Sequence, residues 1–166
     1  MIQGIVYKSH TGFTEKYAKM LAEELDVPAY PLEKCPLEKK ANIVFLGWVM
    51  AGGLQGYKKA KKKYTIQSTC AVGMCIPNEK QANEIQQRYS MKEPFFYLQG
   101  GFSMERLSGI YKFIMQNMRH GMQEKIRTQE QRTQEEMDML DMLFHGKDCT
   151  KKEYLLPIIN CLRDKS

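Results

Sequence analysis

Ser9, His10, Thr11, Gly12, Phe13 and Thr14 are the stretch of this chain best suited to chemistry. Hydroxyls stand at positions 9, 11 and 14 with a glycine among them, and an amphipathic pattern opens directly afterwards. The first turn of a helix leaves backbone N–H groups without intrahelical partners, and the helix dipole favours negative charge there. Serine and threonine add side-chain donors, and glycine lets the backbone approach closely. The chemistry that fits is the binding of a phosphate monoester. The Gly-Lys-Ser/Thr ending of a nucleotide P-loop and the G-x-G-x-x-G of a dinucleotide fold are both missing. The plain alternative is a polar strand-to-helix turn whose hydroxyls cap the helix.

These residues need a strand before them and a helix after them. Residues 2–7 are an apolar run that reads as a strand buried on both faces. In the following helix Thr14, Ala18, Leu21, Ala22 and Leu25 share one face. Residues 27–32, broken by Pro28 and Pro31, suit an edge strand. Residues 41–47 are the second strong strand, 54–63 a helix after Gly52-Gly53, and 69–74 a strand of small residues. Asn78 is placed to cap a helix over 79–89. Residues 95–99 form the last strand, ended by Gly100-Gly101. Strands alternating with helices at this spacing predict a parallel sheet covered on both faces.

Beyond Ser103 the pattern turns helical. Met104, Leu107, Ile110 or Tyr111, Ile114 and Met118 step by three and four, and 123–144 reads as a polar helical excursion. Thr150-Lys151-Lys152-Glu153 has the form of a capping box opening a last helix, in which Pro157 must cause a bend or a late start. The expected organisation is a single domain over 1–166, with 121–149 inserted as helix before the last helix.

Length suits one domain with a real core. Apolar runs are too short for a span of roughly 20 residues, and the first residues lack signal-peptide character, so the cytoplasm is the expected location. Five cysteines at irregular spacing read as reduced thiols, not as a disulfide framework or metal cluster. The net charge is +6, densest at Lys58, Lys59, Lys61, Lys62 and Lys63. That run is either a solvated helix end or a docking patch for an acidic partner, a nucleic acid or an anionic membrane. Only Tyr57 and Tyr64 flank it, so no nucleic acid is expected.

Ligands of an open doubly wound sheet bind beyond the carboxyl ends of its strands. The loops there are 9–14, 48–53, 74–79 and 100–104. On Ser9-x-Thr11-Gly12-x-Thr14 after the first strand, and on residues 43–47 after it, the chain resembles the flavodoxin superfamily. It is further similar to the short flavodoxin-domain group related to flavodoxin-type protoporphyrinogen oxidases. The residues carrying that likeness are 96–102, Arg106-Leu107 and 111–115. The resemblance covers roughly residues 1–120 and finds no counterpart for 121–149.

It implies an α/β flavodoxin-like doubly wound sheet of five parallel strands, order 2-1-3-4-5, with helices on both faces and a helical C-terminal extension. It also implies FMN. Ser9, Thr11 and Thr14 would bond the phosphate with the backbone N–H groups from His10 through Gly12 and Phe13 to Thr14, the His10 ring turned to solvent. Trp48, Val49, Met50, Ala51, Gly52 and Gly53 would lie against the isoalloxazine, with Trp48 stacked on it and a glycine peptide near N5. Met74, Cys75, Ile76, Pro77 and Asn78 would cover the other ring edge, and Gly100 and Gly101 to Met104 would close the pocket. The second loop departs from the family's usual Ser/Thr-Pro-aromatic, the third lacks its aromatic, and the chain is basic where electron-carrier flavodoxins are acidic.

No catalytic residue and no metal ligand is assigned, because a flavin carries the redox chemistry itself. The expectation is an electron-transfer protein serving a redox partner protein or a small-molecule acceptor, with a homodimer left open. The alternatives are an FMN-dependent oxidoreductase for a quinone or porphyrinogen-like planar substrate, and a non-redox partner-binding protein on the same fold.

Overall fold

A computed structural model describes residues 1–128 and 133–164, without the side chains of 126 and 127. In chain order the elements are β1 (Gly4–Lys8), α1 (Phe13–Leu25), β2 (Ala29–Pro31), β3 (Asn42–Met50), β4 (Gly53–Leu54), α2 (Tyr57–Lys63), β5 (Thr65–Gly73) and α3 (Glu79–Arg88). There follow β6 (Phe95–Gln99), β7 (Gly101–Phe102), α4 (Gly109–Thr128), α5 (Gln134–His145), β8 (Lys147–Asp148) and α6 (Leu156–Arg163). Met1–Gly100 with Cys149–Ser166 makes one compact unit, and Gly101–Asp148 a second.

The first unit is built on five parallel strands in the order β2-β1-β3-β5-β6. Numbered among themselves they run 2-1-3-4-5, the flavodoxin-like doubly wound order. Their side chains alternate between two cores, as a period of two requires. Ile5, Tyr7, Val44, Leu46, Cys70, Val72 and Leu98 meet α1 and α6 through Tyr17, Leu21, Ile158 and Leu162. Val6, Ile43, Phe45 and Ala71 meet α2 and α3 on the other face through Tyr57, Ala60 and Ile85. Burial on both faces explains why the strands read as continuous apolar runs. Fully burying a side chain such as Leu21 or Ile43 contributes roughly 1.5–3 kcal/mol toward offsetting the entropy of ordering the chain.

Local signals place most boundaries. Asn78 Oδ1 accepts from the Gln81 N–H at 2.8 Å and caps α3. Pro157 stands in the first turn of α6, where its missing N–H costs nothing, after a 3-10 turn over Lys152–Leu155. The late start expected from Pro157 is therefore what occurs. That turn is preceded by Lys151 without a side-chain cap, so the box proposed at Thr150–Glu153 does not open the helix. A reciprocal capping box forms instead between Thr133 and Glu136, opening α5. β3 runs three residues further than expected, to Met50, and β5 begins four earlier, at Thr65.

In the second unit β7 and β8 pair antiparallel, Gly101 with Asp148 and Phe102 with Lys147, a short strand pair the helical pattern beyond Ser103 concealed. α4 begins at Gly109, later than the stepping apolar residues from Met104 predicted. The helical excursion over 123–144 is the end of α4 and the whole of α5, with 129–132 outside the described residues. The Arg119 guanidinium lies 4.1 Å over the Phe144 ring and ties the two helices.

Candidate functional site

β1 and β3 are neighbours, yet the chain leaves them toward opposite sides of the sheet, α1 on one face and α2 on the other. A crevice at the carboxyl ends follows from that divergence. On the β1 side Gly12 has φ +96°, a left-handed conformation that glycine adopts without a Cβ clash. It turns the chain into α1. The Gly12 N–H donates to Ser9 Oγ at 3.1 Å, and the Gly12 carbonyl accepts the first helical bond from Lys16 N–H at 2.9 Å. Ser9, His10 and Thr11 are half-buried, and Phe13 and Thr14 are buried. Six consecutive residues thus form one tight turn against the head of α1.

On the β3 side Gly47 stands in register with Lys8. A Cβ on Gly47 would lie 2.7 Å from the Gln55 carbonyl oxygen, so the close return of the chain requires glycine. The expected loop over 48–53 is in fact the end of β3 and a two-residue hairpin. Val49 pairs with Leu54 and Met50 with Gly53. Ala51 (φ 48°) and Gly52 (φ 69°) are the two left-handed central residues that a type I′ turn needs. The tip is held from α3. Arg88 Nη1 reaches the Ala51 carbonyl at 3.5 Å, and the Leu54 N–H donates to Tyr89 Oη at 2.9 Å. Trp48 does not stand alone at this edge: its ring stacks on His10, centroids 5.2 Å apart and planes 22° from parallel. The His10 ring therefore turns inward, not to solvent.

The third segment follows β5. Met74 and Cys75 are half-buried, while Ile76, Pro77 and Asn78 are exposed, and Asn78 is committed to capping α3. Gln99 Nε2 donates to the Met74 carbonyl at 3.2 Å. Gly100 N–H donates to the Gly73 carbonyl at 2.8 Å, closing the β5–β6 end. Gly101 opens the second unit and pairs with Asp148.

Two residues at this edge escaped the sequence reading. The Tyr97 hydroxyl lies 1.9 Å from where a Cβ on Gly73 would stand, so the ring packs on bare backbone. Burial, with the Cys75 thiol adding to it, pushes the Tyr97 hydroxyl pKa well up, and it stays protonated. Tyr17, fully buried, donates to the Gln99 carbonyl at 2.7 Å and accepts from Lys151 N–H at 3.2 Å. The alternation of Tyr97 and Gln99 along the last strand was the available signal for the first; a tyrosine on the apolar face of α1 was the signal for the second.

Two surface clefts of ≈ 540 Å³ each lie elsewhere. One is lined by Asp26, Asn42, Gln67 and Arg163 at the amino ends of the strands, the other by Lys19, Glu23 and Pro28. Neither includes Ser9–Thr14 or Trp48. All five cysteines are free, Cys35 and Cys70 buried. Among the described residues no group of three His, Cys, Asp or Glu side chains is placed to hold a metal ion, and no helix is long and apolar enough to cross a membrane.

The fold and the crevice define a doubly wound α/β protein with a glycine-turned helix head at its switch point. No protein-family model matches the chain, and no curated protein matches it.

Proposed function

We propose that the chain is an FMN-binding redox protein of the flavodoxin kind that mediates electron transfer. The observation that carries this reading is the turn Ser9–Thr14: it sits at the β1/β3 switch point of a 2-1-3-4-5 sheet, with left-handed Gly12 aiming the chain into α1. A phosphate fits there by chemistry, between hydroxyls of Ser9 and Thr11 and the amino end of a 13-residue helix. When bound, FMN supplies the one- and two-electron chemistry. Ser9, Thr11 and the backbone around Gly12 hold its phosphate, Trp48 offers a flat aromatic face, and Met74 and Cys75 exclude water from the far side. Five free thiols suit a reducing compartment such as the cytoplasm.

The alternative is an oxidoreductase for a planar apolar substrate such as a quinone.

Titration with FMN and with riboflavin, followed by flavin fluorescence, tests the proposal. FMN binds at micromolar or tighter concentration, riboflavin at least tenfold more weakly, and Ser9→Ala with Thr11→Ala removes the difference. Equal affinity for the two flavins, or no retention of FMN at micromolar concentration, overturns it. Turnover of a quinone above the rate of free FMN selects the second reading.

A further inference from the structure

The net charge of the chain has a single address. Residues 33–63 contain eight lysines and two glutamates, which accounts for the whole net charge of +6 and leaves the remainder neutral. The fold gathers these residues on one side of the first unit. Lys40 N–H donates to the Lys63 carbonyl at 2.7 Å, Lys63 Nζ to the Cys35 carbonyl at 3.3 Å, and Thr65 Oγ1 to the Lys40 carbonyl at 3.2 Å. The segment before β3 is thereby bound alongside α2. Lys34, Lys39, Lys40, Lys58, Lys59, Lys61 and Lys62 are all exposed. One of the two carboxylates, Glu33, is already paired with Lys8.

The composition of the patch discriminates among acidic partners. Protein interfaces are anchored by aromatic and arginine side chains and are depleted in lysine. Here Tyr57 and Tyr64 are buried, covered by Lys61 and Lys63 at 5.3 and 4.9 Å, and no arginine precedes Arg88. Single-stranded nucleic acid is held by exposed aromatic platforms, and α2, at seven residues, is short for reading a groove. Compact, mobile ammonium groups without a pocket or fork recognise charge density alone. A flat, laterally fluid anionic surface needs nothing more. We propose that this lysine face docks the protein on an anionic lipid bilayer, peripherally and by electrostatics. The inference is independent of flavin binding.

Co-sedimentation with vesicles of phosphatidylcholine alone, and of phosphatidylcholine with about 30% phosphatidylserine, tests it on the full chain. Each lysine near such a surface contributes roughly fivefold in affinity. The protein binds the anionic vesicles and not the neutral ones, and releases as ionic strength rises and screening sets in. Lys58, Lys59, Lys61 and Lys62 changed together to Gln lowers binding more than a hundredfold, whereas the same four changed to Arg keep it. A control with Lys92, Lys125, Lys147 and Lys151 changed to Gln binds as the unaltered protein does. Circular dichroism confirms that each variant is folded. No binding to anionic vesicles at low salt, equal loss in the control, or tighter binding to single-stranded RNA than to the vesicles overturns the proposal.

Discussion

His10 and Trp48 stack face to face, 5.2 Å between centroids, and so join the two segments that diverge at the β1/β3 switch point. His10 follows the end of β1, where Lys8 lies opposite Gly47, and Trp48 stands within β3, opposite Val72. A planar ring binding here either extends that stack or exchanges places with His10.

Trp48 is the only tryptophan, so its emission reports this site without ambiguity. Saturating FMN quenches it, and Trp48→Leu weakens FMN binding by about threefold to tenfold, the range of one aromatic stacking contact. Emission unchanged at saturating FMN would place the flavin elsewhere. His10→Ala leaves the quenching in place, since the indole remains.

Ala51 occupies a left-handed position, φ 48°, in the hairpin that follows β3. A side chain there costs of order 1 kcal/mol, which asparagine tolerates better and which type I′ turns favour. Ala51→Asn raises stability by roughly 0.5–1 kcal/mol, and Ala51→Val lowers it by more than 1 kcal/mol. Urea denaturation at constant m-value measures both. A neutral result for Ala51→Val would mean the turn relaxes out of its left-handed geometry.

The sequence carried the sheet almost completely, because burial on both faces turns strands into apolar runs that period and length identify. Asn78 and Pro157 marked helix starts for reasons intrinsic to their side chains. What stayed hidden depends on partners remote in sequence. β3 reads as ending at Gly47, since Val49 and Met50 are paired by β4; Gly52-Gly53 marks a break, but Ala51 in place of asparagine disguises its type I′ hairpin geometry. Thr133–Glu136 carries the same spacing as Thr150–Glu153, yet only the former stands at the head of an α-helix. Pro157 delays the second helix, so local spacing alone could not choose between them. Within the site, the glycine turn was legible from residue types, whereas the His10–Trp48 stack spans 38 positions and has no local signature.

Gly73 and Tyr97 are a further pair of this kind. A methyl group at Gly73 would overlap the Tyr97 hydroxyl and Cζ, 1.9 and 2.7 Å away, and a rigid ring cannot yield as a flexible chain would. Gly73→Ala lowers stability by roughly 1–3 kcal/mol, the usual cost of overpacking. In the Tyr97→Ala background the same substitution costs less than 1 kcal/mol. Additive effects in this double-mutant cycle would show that Tyr97 is not what requires glycine at position 73.

Glu93 makes a prediction about pH. Burial pushes its carboxyl up, but hydrogen bonds from Tyr57 Oη at 2.5 Å and Thr69 Oγ1 at 2.9 Å outweigh that, and its pKa lies below the ordinary 4.5. The Tyr57 hydroxyl is pushed above its ordinary 10.0 by burial and by the same carboxylate. Below the ordinary glutamate value the unfolded chain binds a proton that folded Glu93 resists, so stability falls as acid titrates the folded group. Above about pH 10 the unfolded chain loses the Tyr57 proton that the fold retains, so stability falls again. Between those limits the bond contributes fully, and Tyr57→Phe or Glu93→Gln lowers stability by about 1–2 kcal/mol at pH 7. The deficit of Glu93→Gln relative to the unaltered protein narrows as pH drops from 5 to 3, because protonation makes the two side chains alike. Thermal unfolding followed by circular dichroism across that range measures the gap; a gap of constant width would show that Glu93 takes up its proton equally in the folded and unfolded chain, against the lowered folded value.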